Sequence, residues 1–281
     1  MGATNTSGKW GDFAIRTGSA VLLVPVVIAL AWLGGAWFAL LLAVFGVLMA
    51  LEWVRLVNGK PDLIQQGLHG AAAAAVPWLV LAKLPGTAFA FIALAWVASL
   101  LWLLSRRHGQ ARAALIGLPY IALPVLSLAL LRADATHGLS ALLWLMIVVW
   151  SADTGAYLVG RLVGGPKLAP QISPGKTWSG LVGAVTGAAL AGGLLGRVMD
   201  LPAIPPLVAL AGLLAVIAQL GDLFESHLKR QAGVKDSGKL IPGHGGILDR
   251  VDGLIAVALG VLAIGVLRSG TNNIAAALLL W

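Results

Sequence analysis

Nine stretches of the chain, at 19–34, 36–53, 68–84, 87–104, 113–131, 139–159, 180–198, 206–220 and 251–267, are almost wholly apolar. A helix needs about 20 such residues to cross the hydrocarbon core of a bilayer. Only helices and closed barrels satisfy their backbone hydrogen bonds in that medium. Composition points the same way. The chain is 59% hydrophobic and 11% charged, whereas soluble domains run near 45–50% apolar and about 25% charged. The fold class expected is all-α, a polytopic transmembrane helical protein with about nine spans. The last apolar stretch, 274–281, is too short to span and is expected to extend the final helix or lie at the interface.

Charge placement tests that reading independently. With the N-terminus in the cytoplasm and nine alternating spans, 15 of the 19 Lys and Arg fall on the cytoplasmic side. Only Lys83, Arg132, Arg197 and Arg268 fall on the other. This asymmetry is the one that membrane proteins acquire on insertion. The net charge of +8 is thus a topological signature that attracts anionic lipid and nucleotide phosphates, and no nucleic acid is expected as a partner. Cysteine is absent, which excludes disulfides, thiol nucleophiles and thiolate metal sites. Residues 1–12 are polar, and no cleaved leader is expected there. The lipidation-like pattern at Gly2 and the glycosylation-like pattern at Asn5 are read as chance matches.

Acidic residues divide unevenly. Residues 1–150 hold four (Asp12, Glu52, Asp62, Asp134), and residues 151–281 hold seven. A single membrane domain is expected, with 1–150 as scaffold and lipid-side helices and 151–281 as the catalytic half. The densest chemistry lies at 221–253. Asp222, Glu225 and Ser226 share one helical face by their spacing. Lys229, Arg230, Lys235 and Lys239 follow. A turn containing Pro242, Gly243, His244, Gly245 and Gly246 then leads to Asp249, Arg250 and Asp252. Carboxylates at two helix ends can converge on a hard cation such as Mg²⁺. Lys and Arg neutralise phosphates, and glycines let backbone N–H groups approach them closely. Together these parts describe metal-assisted phosphoryl or nucleotidyl transfer.

The run from Ser226 through Lys229, Arg230, Lys235, Asp236 and Ser237 to Gly245, Gly246, Asp249, Arg250 and Asp252 resembles the signature of the phosphatidate cytidylyltransferases, also called CDP-diacylglycerol synthases. The resemblance continues in Trp150, Asp153 and Tyr157, and in Ser173, Pro174, Lys176 and Thr177. Gly175 and Ser179 depart from the family pattern. In the first 150 residues, Glu52 and Trp53 are only a weak echo. The resemblance implies transfer of a cytidylyl group from CTP to phosphatidic acid, with pyrophosphate leaving.

The same resemblance implies site roles. Asp222, Asp249, Lys229, Lys235 and Arg250 are assigned to catalysis. Lys176, Thr177, Ser226, Arg230, Asp236, Gly245 and Gly246 are assigned to substrate binding. Asp222, Asp249, Asp153 and Asp252 are assigned to metal. The implied cofactor is Mg²⁺, with a second, monovalent cation such as K⁺ as a further expectation. The implied partners are CTP, phosphatidic acid, membrane lipids and a second copy in a homodimer. The implied location is a bacterial cytoplasmic (inner) membrane, with the site facing the cytoplasm.

Asp153 lies within an apolar span, where an ionisable group is costly and is read as functional by default. It either joins the cation site or pairs with Lys176 or Lys229; the alternative is a packing role beside Thr154. Rival functions are a CTP-dependent lipid-alcohol kinase or cytidylyltransferase with another acceptor, and a transporter. Transporters often show paired, interrupted helices in two halves, whereas here the ionisable residues gather in one half and on one side.

Overall fold

The computed structural model describes residues 24–105, 111–238, 240 and 245–281. The described residues form α1 (Val24–Leu33), α2 (Gly35–Asn58), α3 (Leu63–Leu81), α4 (Pro85–Ser105), α5 (Ala111–Ala133) and α6 (Gly138–Val163). A two-stranded hairpin follows, β1 (Lys167–Ala169) and β2 (Ser173–Thr177). The chain then continues through α7 (Trp178–Val198), α8 (Ile204–Gln231), α9 (Leu248–Ser269) and the short α10 (Ile274–Leu279).

Seven helices, α2 and α4 to α9, are long and apolar enough to cross a membrane. Of the nine expected spans, 19–34 is described only from Val24 onward. The span expected at 68–84 is present as α3, with 19 residues. It is not one of the seven, because its first turns carry Gln65, Gln66 and His69, all buried. The outward faces of the bundle are apolar: Leu190 is 69% exposed and Leu267 86% exposed. A soluble protein avoids contiguous surfaces of that kind, whereas lipid accepts them.

Helix ends are tied by polar side chains. Asp62 caps α3, with Oδ1 accepting from the N–H groups of Ile64 and Gln65, and it also accepts from Trp102 Nε1 at the end of α4. Arg132 donates to the carbonyls of Ala31 and Trp32 at the end of α1. The 274–281 stretch does not extend α9. α10 tucks back against α9, α6 and α5, with Ile274, Ala275, Leu278 and Leu279 buried. Arg268 holds it by donating to the carbonyls of Ala277 and Leu280, and it stacks over the Trp281 ring 3.6 Å from the centroid.

Small residues let the C-terminal helices approach closely, as is common where lipid offers no hydrophobic drive to association. α6 and α7 pack along Gly155, Gly160, Gly180, Gly183 and Gly187. A Cβ on Gly187 would lie 2.8 Å from the Ser151 carbonyl oxygen. On α8, a Cβ on Gly221 would lie 2.8 Å from the Asp252 carbonyl oxygen and 2.5 Å from Ala256 Cβ. That contact brings Asp222 and Asp252 to neighbouring positions on two packed helices.

Gly187→Leu should therefore lower the thermal midpoint in detergent, at a cost of about 1–3 kcal/mol or more for overpacking. Gly86→Leu, at a site with nothing within 4 Å of the added carbon, should leave the midpoint unchanged. Equal midpoints for the two variants would refute the close-packing account of α6 and α7.

Candidate active site

α8 is 28 residues long, or about 42 Å at 1.5 Å per residue, against a hydrocarbon core of about 30 Å. Its sequence divides accordingly. The stretch up to Gly221 is apolar, and from Asp222 onward it turns polar. Asp222, Glu225, Ser226 and Lys229 follow one face, and α9 begins beside them with Asp249 and Asp252 in its first turns. Asp222 and Asp249 thus stand on neighbouring helices at the same end of the bundle.

Two lysines organise the carboxylates. Lys229 is 9% exposed. Its Nζ lies 2.7 Å from Asp249 Oδ1 and 3.2 Å from Glu225 Oε1. The contact to Glu225 is within ion-pair distance but off hydrogen-bond alignment, so both Glu225 oxygens lack a hydrogen bond although the residue is 1% exposed. A buried charge is tolerated only with partners of this kind. Lys176, on β2, reaches Asp222 Oδ2 at 2.6 Å and the Gln219 carbonyl at 3.3 Å. Ser226 Oγ donates to Asp222 Oδ1 at 3.2 Å. Asp153 on α6 is exposed and lies within electrostatic reach of Asp222 and Lys176. The neighbouring Thr154 hydroxyl donates to the Trp150 carbonyl.

The other assigned residues take distinct positions. Thr177 caps α7, its Oγ1 accepting from Gly180 N at 3.0 Å. Arg230 donates to the carbonyls of Ile172 and Val234, bracing the hairpin against the loop after α8. Lys235 and Asp236 are exposed in that loop. Lys239 and His244 lie outside the described residues. Asp249 Oδ2 accepts from Ser237 N at 2.9 Å, Ser237 Oγ at 3.0 Å and Gly246 N at 2.8 Å. Gly245 has φ +83°, and a Cβ there would sit 2.8 Å from Asp249 Oδ2. The glycines expected to admit a phosphate thus make room for a carboxylate of the protein itself.

A residue that sequence reasoning did not assign completes this arrangement. Glu52, near the end of α2, is 3% exposed. Its Oε1 accepts from Ile247 N at 2.9 Å, and its Oε2 accepts from Leu248 N at 3.0 Å and Ser237 Oγ at 3.2 Å. The available signal was a lone acid at the end of an otherwise apolar span.

Mg²⁺ prefers oxygen donors and is usually held by one or two carboxylates together with substrate phosphates. Asp222 and Asp252 are hard oxygen donors at the contact where Gly221 packs on Asp252, and Asp153 is a third carboxylate, on α6. Among the described residues, no group of three or more acids or imidazoles forms a ready-made cage. The donors present are of the oxygen type that Mg²⁺ takes.

Beside this polar cluster lies an apolar cavity of about 400 Å³. Its walls come from α1, α2, α5, α6 and α9, and include Phe38, Met49, Leu128, Met146 and Leu254. Among the described residues, Arg250 is the charged one on its lining.

The profile of the cytidylyltransferase family matches residues 14–267. The chain is 42% identical over 245 residues to a phosphatidate cytidylyltransferase of Brucella suis, covering 85% of this chain and 88% of that protein. A protein of the same name from Pseudomonas aeruginosa is 36% identical over 251 residues, 85% and 91% of the two chains. One from Staphylococcus epidermidis is 33% identical over 253 residues, 86% and 95% of the two. A match over nearly the whole length, with seven helices among the described residues long and apolar enough to cross a membrane, makes this integral membrane protein a member of the cytidylyltransferase family.

Proposed function

We propose that the chain transfers the cytidylyl group of CTP to phosphatidate, giving CDP-diacylglycerol and pyrophosphate. One observation carries the reading: consecutive residues at the start of α9 serve two different environments. Asp249 turns to the Lys229 ammonium and the glycine turn. Arg250, about 100° further round the helix, lines the apolar cavity. A water-soluble nucleotide and a lipid phosphate can therefore meet at one helix start. The names carried by the relatives support the same substrates.

In this scheme a phosphate oxygen of phosphatidate forms a bond to the α-phosphorus of CTP. The bond from that phosphorus to the oxygen bridging to the β-phosphorus breaks, and pyrophosphate leaves with the electron pair. Asp222 and Asp252 would hold Mg²⁺, with Asp153 as a further carboxylate donor. Both Asp249 oxygens are engaged within the protein, Oδ1 by the Lys229 ammonium and Oδ2 by the N–H groups of Ser237 and Gly246, so Asp249 acts by placing Lys229 at the site. When bound, Mg²⁺ neutralises charge building on the phosphates. Lys229 draws Glu225 and Asp249 together, and Lys176 fixes Asp222 in place. Lys176 and the exposed Lys235 attract the nucleotide phosphates. Arg250 grips the lipid phosphate, and the cavity takes acyl chain by shape, since a chain that comes from the bilayer leaves no water behind. We also assign a monovalent second cation, a homodimer and a cytoplasm-facing site in a bacterial inner membrane. These rest on the family resemblance and on the distribution of Lys and Arg.

The direct test is incorporation of radiolabelled CTP into chloroform-extractable lipid. Phosphatidate should support it, EDTA should stop it and Mg²⁺ should restore it. The label for this test is carried in the cytosine or at the α-phosphate; label entering lipid only from γ-labelled CTP, and only with a non-phosphorylated lipid alcohol, would instead establish a kinase. Asp222→Asn should lower kcat by about 10²-fold or more, on the scale of losing a charge-stabilising group, while the protein stays folded in detergent. A normal rate would remove Asp222 from the ion. Leu128→Phe, which narrows the cavity, should raise KM for long-chain phosphatidate and leave KM for CTP unchanged. Equal effects on long-chain and short-chain lipid would place the acyl chains elsewhere.

A further inference from the structure

We propose that Glu52 is a positioning residue for the transfer, an internal anion occupying the start of α9 in place of substrate phosphate. The first N–H groups of a helix have no partner within it and form a natural anion site. Here that site is already filled. Glu52 accepts from Ile247 N and Leu248 N, and Asp249 accepts from Gly246 N. α9 has no side-chain cap of its own. The carboxylate that completes it comes from α2, 195 residues away in sequence.

The surrounding glycines are shaped to this carboxylate. A Cβ on Gly238 would stand 2.6 Å from Glu52 Oε1, and one on Gly246 would stand 2.5 Å from Glu52 Oε2. The glycine pair therefore wraps a protein side chain, and substrate phosphate is directed to Lys176, Lys235 and Arg250 instead. Glu52 and Asp249 also converge on the Ser237 hydroxyl, at 3.2 and 3.0 Å. That hydroxyl has one proton, so it serves one carboxylate at a time. The N–H of Ser237 keeps Asp249 engaged in either case. Through this chain Glu52 sets the position of Asp249, and Asp249 sets that of Lys229. Glu52 touches neither substrate; it acts through the residues that do.

The inference rests on the transfer reaction proposed above, and the two fail separately. Absence of label in lipid with the unaltered protein defeats the reaction. An active unaltered protein alongside an unimpaired variant defeats only the role of Glu52. The test compares Glu52→Gln, which keeps size but turns an N–H toward backbone N–H groups, with Glu52→Asp, which keeps the charge at shorter reach. Expected for Glu52→Gln is a fall in kcat of about 10²-fold, the scale of a displacement of about 1 Å at a reacting centre. KM for CTP should stay within about threefold, since uniform binding is untouched. Glu52→Asp should recover part of the loss. Full kcat per folded molecule, or a rise in KM for CTP with kcat unchanged, would overturn the proposal. If Glu52→Gln does not fold, Ser237→Ala keeps the test open. Removing only the hydroxyl link should lower kcat, and an unchanged kcat refutes the relay.

Discussion

A charge withdrawn from water must find its counter-charge inside the protein, and at the end of α8 that requirement organises everything around it. The Lys229 ammonium is nearly buried and is shared by Asp249 and Glu225. Breaking such a pair by removing one partner typically costs about 3–5 kcal/mol, because the remaining charge stays uncompensated. The bridge from Lys229 to Asp249 therefore locks the polar end of α8 to the first turn of α9. The ion pair of Lys176 with Asp222 extends the lock to the hairpin that follows α6. Acids that would otherwise repel one another are held within one small volume, ready for a cation and for phosphates.

The hairpin shows why these connections matter. β1 and β2 pair antiparallel, Lys167 opposite Thr177 and Ala169 opposite Ser173. The pairing fixes Lys176 one residue before the Thr177 cap of α7. A lysine on an unpaired loop would lose much side-chain and backbone entropy on reaching Asp222. On a short strand feeding a capped helix, most of that ordering is already done.

The bundle also joins two solvents. Asp249 and Arg250 are adjacent, yet one belongs to the lysine–carboxylate network and the other to an apolar cavity walled by α1, α2, α5, α6 and α9. Helical geometry alone separates them, since neighbouring residues project about 100° apart. An enzyme joining a nucleotide to a lipid needs such a junction. Here α9 supplies it at the level where α8 changes from apolar to polar.

The apolar runs by themselves determined a helical membrane bundle, because backbone N–H and C=O groups in lipid admit little else. The cluster at 221–253 was equally legible: Asp222, Glu225, Ser226 and Lys229 share a face by local spacing, and their density of charge has no place in lipid. What the sequence could not determine was who partners whom. Lys176 chooses Asp222, Lys229 chooses Asp249, and Glu52 crosses from α2 to cap α9. The role of Gly246 likewise depends on a carboxylate arriving from the other half of the chain. Local spacing governs which residues share a face. Only helix packing, driven by side-chain fit and the need to satisfy buried charge, decides what that face meets.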